Sequence, residues 1–224
     1  EARHESGLRV LVSPKDFSAA YATLGIRYGS RDRFAGGALP MGTAHFLEHK
    51  IFERPESESW EDIFSALGAE VNAYTSDDCT AYMFSATEQV SEALEALLSM
   101  VREVSVTPES VARERQIIAE EIRMNADDPW ERCSAAARTA LFGRHPVREE
   151  ICGSLSSIRR ITPAVLREAF DTFYRPDNMI LTVCGRVEAE EILAAVESVM
   201  AGLPPKEPLP VGITVPRVRV SPAA

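Results

Sequence analysis

The chain has 224 residues, 45% of them hydrophobic and 26% charged, a balance typical of a soluble globular protein long enough to bury a real core. Its net charge of −10 and pI near 5.0 argue against nucleic-acid binding, which needs a basic face. No run of about 18 apolar residues occurs, so neither a membrane-spanning helix nor a membrane partner is expected.

The start, "EARHESGLRVLVSP", has no apolar signal-peptide core and no small-residue cleavage site, which suggests a cytoplasmic location. It also lacks an initiator Met, as a trimmed or excised chain would. "GLRVLVSP" (7–14) reads as a strand ended by Pro14, and "AAYATLGIRYGS" (19–30) as a longer one ended by glycine. "RDRFAGGALP" (31–40) is a loop. From Met41 to about Arg54 the pattern turns helical, with Pro40 suited to a first turn. In 58–69, Trp60, Ile63, Phe64 and Leu67 recur at helical spacing, and Gly68 sits where a helix should stop.

Residues 70–76 and 79–87 read as an antiparallel hairpin turning at Asp77-Asp78. A helix follows over 88–104 with Thr87 as its cap, then one over 107–129 opened by Thr107 and Pro108. Another spans about Trp130 to Phe142, followed by the loop "GRHPVREEICG". The helix at 162–174, the buried-type strand at 178–185 and the helix at 188–203 complete the order. Residues 204–224 are rich in Pro and Val and read as a linker or extended arm. Hairpins mixed with helices predict an α+β fold: a mostly antiparallel mixed sheet with helices packed on one face. The four cysteines, Cys79, Cys133, Cys152 and Cys184, are scattered with no CxxC pair, so they are expected reduced and mostly buried.

"AHFLEHKIFE" (44–53) carries two of the four histidines. At about 100° per residue, His45, Glu48 and His49 fall within roughly 100° of arc on one helix face. Two imidazoles one turn apart can share a metal ion, with the carboxylate beside them able to reach a water on it. This is the HxxEH arrangement, the reverse of HExxH. Two histidines need a third ligand. In the 107–129 helix, Glu114 and Glu121 are seven residues apart and almost eclipsed, with Ile117 and Ile118 between them on an apolar stripe. A carboxylate on such a stripe is costly unless paired or coordinated, which favours Glu121 or Glu114 over the solvent-reaching Glu120. His4 and His145 have no acidic or histidine neighbours at ligand spacing and read as ordinary surface residues. Phe46, Leu47, Ile51 and Phe52 read as core.

With these residues in view, the chain resembles the pitrilysin/insulinase/mitochondrial processing peptidase family of zinc metallopeptidases over residues 7 to about 203. The resemblance is carried by "GLRVLVSP", "GTAHFLEHKIFE", "ALGAEVNAYTSDDCTAY", "ERQIIAEEIRMNADDP", "HPV" and "FYRPDNMILTVCG", in the family's order. It looks closest to bacterial two-domain members. The resemblance implies Zn²⁺ held by His45, His49 and Glu121, the last lying 121 − 49 = 72 residues after His49. It implies Glu48 as the general base and Glu114 as an acidic residue supporting the ligands. It implies that the "NAYT" strand pairs with an extended peptide substrate through Asn72 and Ala73. Family members have a second half of similar fold, so the expectation is a catalytic N-terminal domain at 1–203. Residues 204–224 would lead to an absent second domain, or the partner would be a paralogous subunit. The activity so implied is a zinc endopeptidase acting on peptides or short unfolded polypeptides. The alternative is a non-catalytic peptide-binding or scaffold subunit of a heterodimeric processing peptidase.

Overall fold

The structure, a computed structural model, describes residues 1–32, 38–54, 59–143 and 145–203. Six strands form one sheet: β1 (Ala2–Arg3), β2 (Arg9–Pro14), β3 (Ala20–Ile26), β4 (Ala69–Thr75), β5 (Thr80–Ala86) and β6 (Met179–Gly185). Their order across the sheet is β1-β2-β6-β3-β5-β4, and β2 with β6 is the one parallel pair among the described strands. The helices are α1 (Thr43–Phe52), α2 (Trp60–Ala66), α3 (Val90–Met100), α4 (Pro108–Asp127), α5 (Pro129–Phe142), α6 (Leu155–Ile158), α7 (Pro163–Phe173) and α8 (Ala189–Met200).

Strict alternation along the central strands decides which face is covered. In β3, Ala20, Ala22, Leu24 and Ile26 are buried, while Tyr21 on the opposite face is half exposed. Register carries the stripe sideways: Leu24 stands opposite Tyr82 of β5 and Leu181 of β6. Ala22 stands opposite Phe84 and Val183. Leu94, Leu97 and Leu98 of α3 and Ile192 and Val196 of α8 belong to the same buried cluster. Each fully buried large side chain contributes about 1.5–3 kcal/mol of transfer free energy. Leu24→Ala, at the centre of the stripe, would cost about 2–5 kcal/mol.

The structure differs from the sequence-based expectations at several points. Pro40 lies three residues before α1; the helix is opened by Gly42 in a left-handed conformation (φ 84°), and the Thr43 hydroxyl turns back to the Pro40 carbonyl at 2.7 Å. Thr87 does not cap α3. The chain turns for two more residues and starts at Gln89, also left-handed (φ 50°), without a side-chain cap. His145 is buried, because its Nδ1 accepts from the Val147 N–H at 3.2 Å and caps a 3-10 turn at Pro146–Arg148. His4, expected as an ordinary surface residue, instead has a largely buried side chain that meets Glu197 of α8 at 2.8 Å. All four cysteines are free thiols but only Cys152 is buried; Cys133 is exposed because α5 buries no residue at all. The short β1 and α6 carry too little periodicity to be read from sequence. The expected arm at 204–224, the centre of the 31–40 loop and Arg144 in the loop after α5 lie outside the described residues.

Candidate metal centre

Two faces of α1 divide the labour. Thr43, Phe46, Leu47, Lys50 and Ile51 recur at i, i+3, i+4, i+7, i+8 and are buried. That stripe fixes the helix against α7, β4 and α4. His45, Glu48, His49 and Phe52 form the complementary i, i+3, i+4, i+7 face. The side chain of Lys50 is fully buried; it donates to the Ser110 hydroxyl at 2.9 Å and is ion-paired with Glu53, which also pairs with Arg113. Burial is the main cause that pushes the Lys50 pKa down to about 8. These contacts join the end of α1 to the first turns of α4.

The position of α4 is set from both ends. Thr107 and Ser110 form a reciprocal capping box, with Pro108 in the first turn. Further along, the Arg115 guanidinium donates to the carbonyls of Ile158 (3.1 Å) and Ile161 (2.7 Å). Thus anchored, α4 turns Glu114 and Glu121 toward α1. The apolar stripe expected between them is only half real: Ile118 is fully buried but Ile117 is 52% exposed. α4 lies over the edge of the core rather than inside it, and only one side of the stripe finds a partner. Glu120 reaches solvent and pairs with Arg123.

The structure brings His45, His49 and Glu121 together, with one ligand atom of each within 4.8 Å of the others. His45 Nε2 lies 3.4 Å from Glu121 Oε1, and His49 Nε2 lies 3.7 Å from Glu121 Oε2. Ligand atoms about 2.0–2.1 Å from a tetrahedral zinc stand roughly 3.3–3.4 Å apart, so the donor set fits that ion with little adjustment. Glu114 Oε1 is 2.9 Å from His49 Nδ1. This is the carboxylate–histidine contact that leaves Nε2 free for a metal. His45 Nδ1 is buried with no hydrogen-bond partner among the described residues.

Charge is balanced inside the cluster. Burial by itself would lower the His49 pKa, but its hydrogen bond to Glu114 and the charges of Glu114, Glu48 and Glu121 outweigh burial and raise it. The hydrogen bond from His45 leads in holding Glu121 below the usual carboxylate value; burial opposes, and the charges of both histidines add to the lowering.

Glu48 stands beside the donor set rather than within it, its Oε2 accepting from the Thr75 hydroxyl at 2.5 Å. An open cleft of about 440 Å³ runs from Glu48, His49 and Glu114 along Val71, Asn72 and Ala73 to Phe52 and Glu61. Its wall, β4, pairs only with β5 among the described strands, so its outer edge is open. Asn72 and Ala73 both line the cleft; Asn72 is exposed and its Oδ1 accepts from the Ala73 N–H at 2.8 Å. Thr75 escaped the sequence reading. The signal was available in its period-2 spacing from Val71 and Ala73.

A fold of this kind, with two histidines and a carboxylate around an open position and a glutamate beside them, has the make-up of a metallopeptidase half-domain. Comparison with known proteins agrees. Residues 10–154 match the family model described as insulinase (peptidase family M16), and residues 160–223 match one described as the peptidase M16 inactive domain. The chain belongs to the insulinase family, a family of zinc-dependent peptidases. It is 41% identical to the uncharacterized zinc protease YmfH of Bacillus subtilis, over 85% of this chain and 46% of that protein. It is 28% identical to a protein of Arabidopsis thaliana named "Probable mitochondrial-processing peptidase subunit beta", over 88% of this chain and 38% of that one. The crystal structure of an M16-like peptidase from Alicyclobacillus acidocaldarius superposes with a TM-score of 0.88 and 41% identity, covering 92% of this chain and 50% of that one. The chain thus spans half or less of the length of these relatives. Kinship supports a peptidase function and a second homologous domain or subunit. The described part of the segment matched by the second model, residues 160–203, is not a separate layer, since its strand β6 lies between β2 and β3 in the one sheet.

Proposed function

We propose that residues 1–203 form the catalytic N-terminal half of a cytoplasmic zinc endopeptidase that cleaves peptides or short unfolded polypeptides. Residues 204–224 would lead toward a second half of similar fold, in the same chain or in a paralogous subunit. The observation that carries the reading is the convergence of His45 and His49 of α1 with Glu121 of α4, which follows His49 by 121 − 49 = 72 residues, at spacings suited to zinc. When bound there, zinc would supply Lewis acidity toward a scissile carbonyl and make a neighbouring water more acidic. Glu48 would take the proton of the attacking water and deliver it to the leaving amine nitrogen. Glu114 would hold the His49 ring so that Nε2 stays available. The open β4 edge would receive the substrate backbone as an added strand, with Asn72 giving up its hold on the Ala73 N–H to let the substrate in.

The complete donor set, with an acidic group beside it, supports catalysis over a non-catalytic scaffold role. The test uses the full-length parent protein, loaded with zinc, on unstructured peptides. Glu48→Gln should keep one zinc and lose on the order of a hundredfold or more in rate, the scale of a general base. Equal rates for wild type and variant would refute the reading. A protein that binds peptides tightly but holds no zinc would favour the scaffold.

A further inference from the structure

Glu48 projects from the open face of α1, and a glutamate there has three side-chain torsions to restrict. Among the described residues its one hydrogen-bond donor is Thr75, whose hydroxyl lies 2.5 Å from Oε2. Thr75 ends β4, on the same face as Val71 and Ala73 of the cleft wall. Proton accounting fixes the direction of this bond. The Thr80 hydroxyl, 3.3 Å from that of Thr75, lies 2.9 Å from the Tyr28 carbonyl and donates its one proton there. An ionised carboxylate only accepts, so the one proton of Thr75 goes to Glu48. Behind this pair, the Tyr82 and Tyr174 hydroxyls are hydrogen-bonded at 2.7 Å in the core. Burial first, with the negative charge of Glu48 adding to it, keeps both phenols far above their ordinary range and therefore protonated. The wall behind the base is therefore polar but uncharged.

Resting on the peptidase reading above, we infer that Thr75 is a positioning residue for Glu48. Its hydroxyl fixes one carboxylate oxygen, leaves the other for the cleft, and ties the base to the strand whose outer edge receives substrate. One rigid element then sets both where the peptide backbone lies and where the proton acceptor stands. Removing the hydroxyl leaves the substrate edge and the donor set untouched, so the loss falls on kcat and not on KM.

The experiment compares wild type, Glu48→Gln, Thr75→Val and Thr75→Ser in the full-length protein. It reads kcat and KM on an unstructured fluorogenic peptide, zinc per chain by elemental analysis, and the melting temperature. Thr75→Val should keep one zinc, hold KM within about threefold and lose about tenfold to a hundredfold in kcat, the scale of one hydrogen bond to a charged group. Thr75→Ser should recover to within about threefold of wild type, since the hydroxyl returns without the methyl. In a Glu48→Gln background Thr75→Val should change the residual rate by less than about twofold, because coupled residues do not add. An unimpaired Thr75→Val, or a Thr75→Ser as poor as Thr75→Val, overturns the inference. Should Thr75→Val not fold, Thr75→Ala carries the same comparison; failure of both to fold makes the residue structural and also overturns it. Glu48→Gln as active as wild type, or a zinc-loaded wild type without activity, sinks the peptidase reading and this inference with it. An active wild type, an inactive Glu48→Gln and an unimpaired Thr75→Val sink this inference alone.

Discussion

Gly42→Ala tests how the metal-binding helix is held in place. Gly42 starts α1 at φ 84°, a conformation that costs an L side chain about 1–2 kcal/mol. A Cβ there would also stand 2.5 Å from the Cys152 carbonyl oxygen and 3.0 Å from its carbon. The two backbones pack directly on each other: a Cβ on Gly153 would in turn meet the Met41 carbonyl oxygen at 2.7 Å. Forcing them apart adds roughly 1–3 kcal/mol, by analogy with overpacked cores. The sum is about 2–5 kcal/mol, or roughly a 10 °C fall in melting temperature for a domain of this size. Gly68→Ala is the control. It has the same kind of backbone (φ 67°) with nothing within 4 Å of its Cβ, so it should show the conformational cost alone, about 1–2 kcal/mol. Calorimetry on both variants separates strain from clash, and zinc affinity should fall only in Gly42→Ala, where α1 must shift. If Gly42→Ala is no more destabilised than Gly68→Ala, the packing of the α1 start on residues 152–153 does not hold the helix.

Glu114→Gln should weaken zinc binding about tenfold to a hundredfold, the usual cost of losing a carboxylate behind a histidine ligand; competition with a chromophoric chelator measures it, and an unchanged affinity would remove Glu114 from the site. In the metal-free protein, the raised His49 pKa gives stability that is fully present below the ordinary value of 6.5 and is lost as pH rises through the raised one. The lowered Glu121 pKa gives stability present above 4.5 and lost as pH falls through the lowered value. Urea unfolding of metal-free protein should therefore show this cluster contributing most between those limits, and Glu114→Gln should flatten the loss on the alkaline side; a wild-type profile already flat there contradicts the assignment. Cys152, its thiol pushed up to about 11 chiefly by burial, should resist maleimide at pH 8, while the exposed Cys133 reacts first; peptide mapping decides, and equal labelling would contradict the burial.

How much of this was legible in the sequence depended on range. The three residues of "HFLEH" share one helix face by local geometry alone, so their convergence could be read from spacing. Thr107 and Pro108 announced α4 because caps are local chemistry. Glu121 was harder. Spacing put it level with Glu114, but the assumed core-facing stripe was wrong for Ile117, because how deeply a helix sinks depends on what covers it. The left-handed starts at Gly42 and Gln89 were invisible for the same reason: the path between elements is set by their packing. Thr75, from another strand, reaches Glu48 only once the sheet edge lies beside α1. The hidden partner of His4 is nearly two hundred residues away, on α8, beyond any local signal.

The most direct test is a crystal structure of the zinc-loaded protein with anomalous data collected across the zinc edge. One anomalous peak is expected, bonded to Nε2 of His45, Nε2 of His49 and the Glu121 carboxylate, with Glu48 close by but unbonded and no fourth protein ligand. A peak elsewhere, or a fourth side chain closing the coordination sphere, would contradict a catalytic centre on α1 and α4.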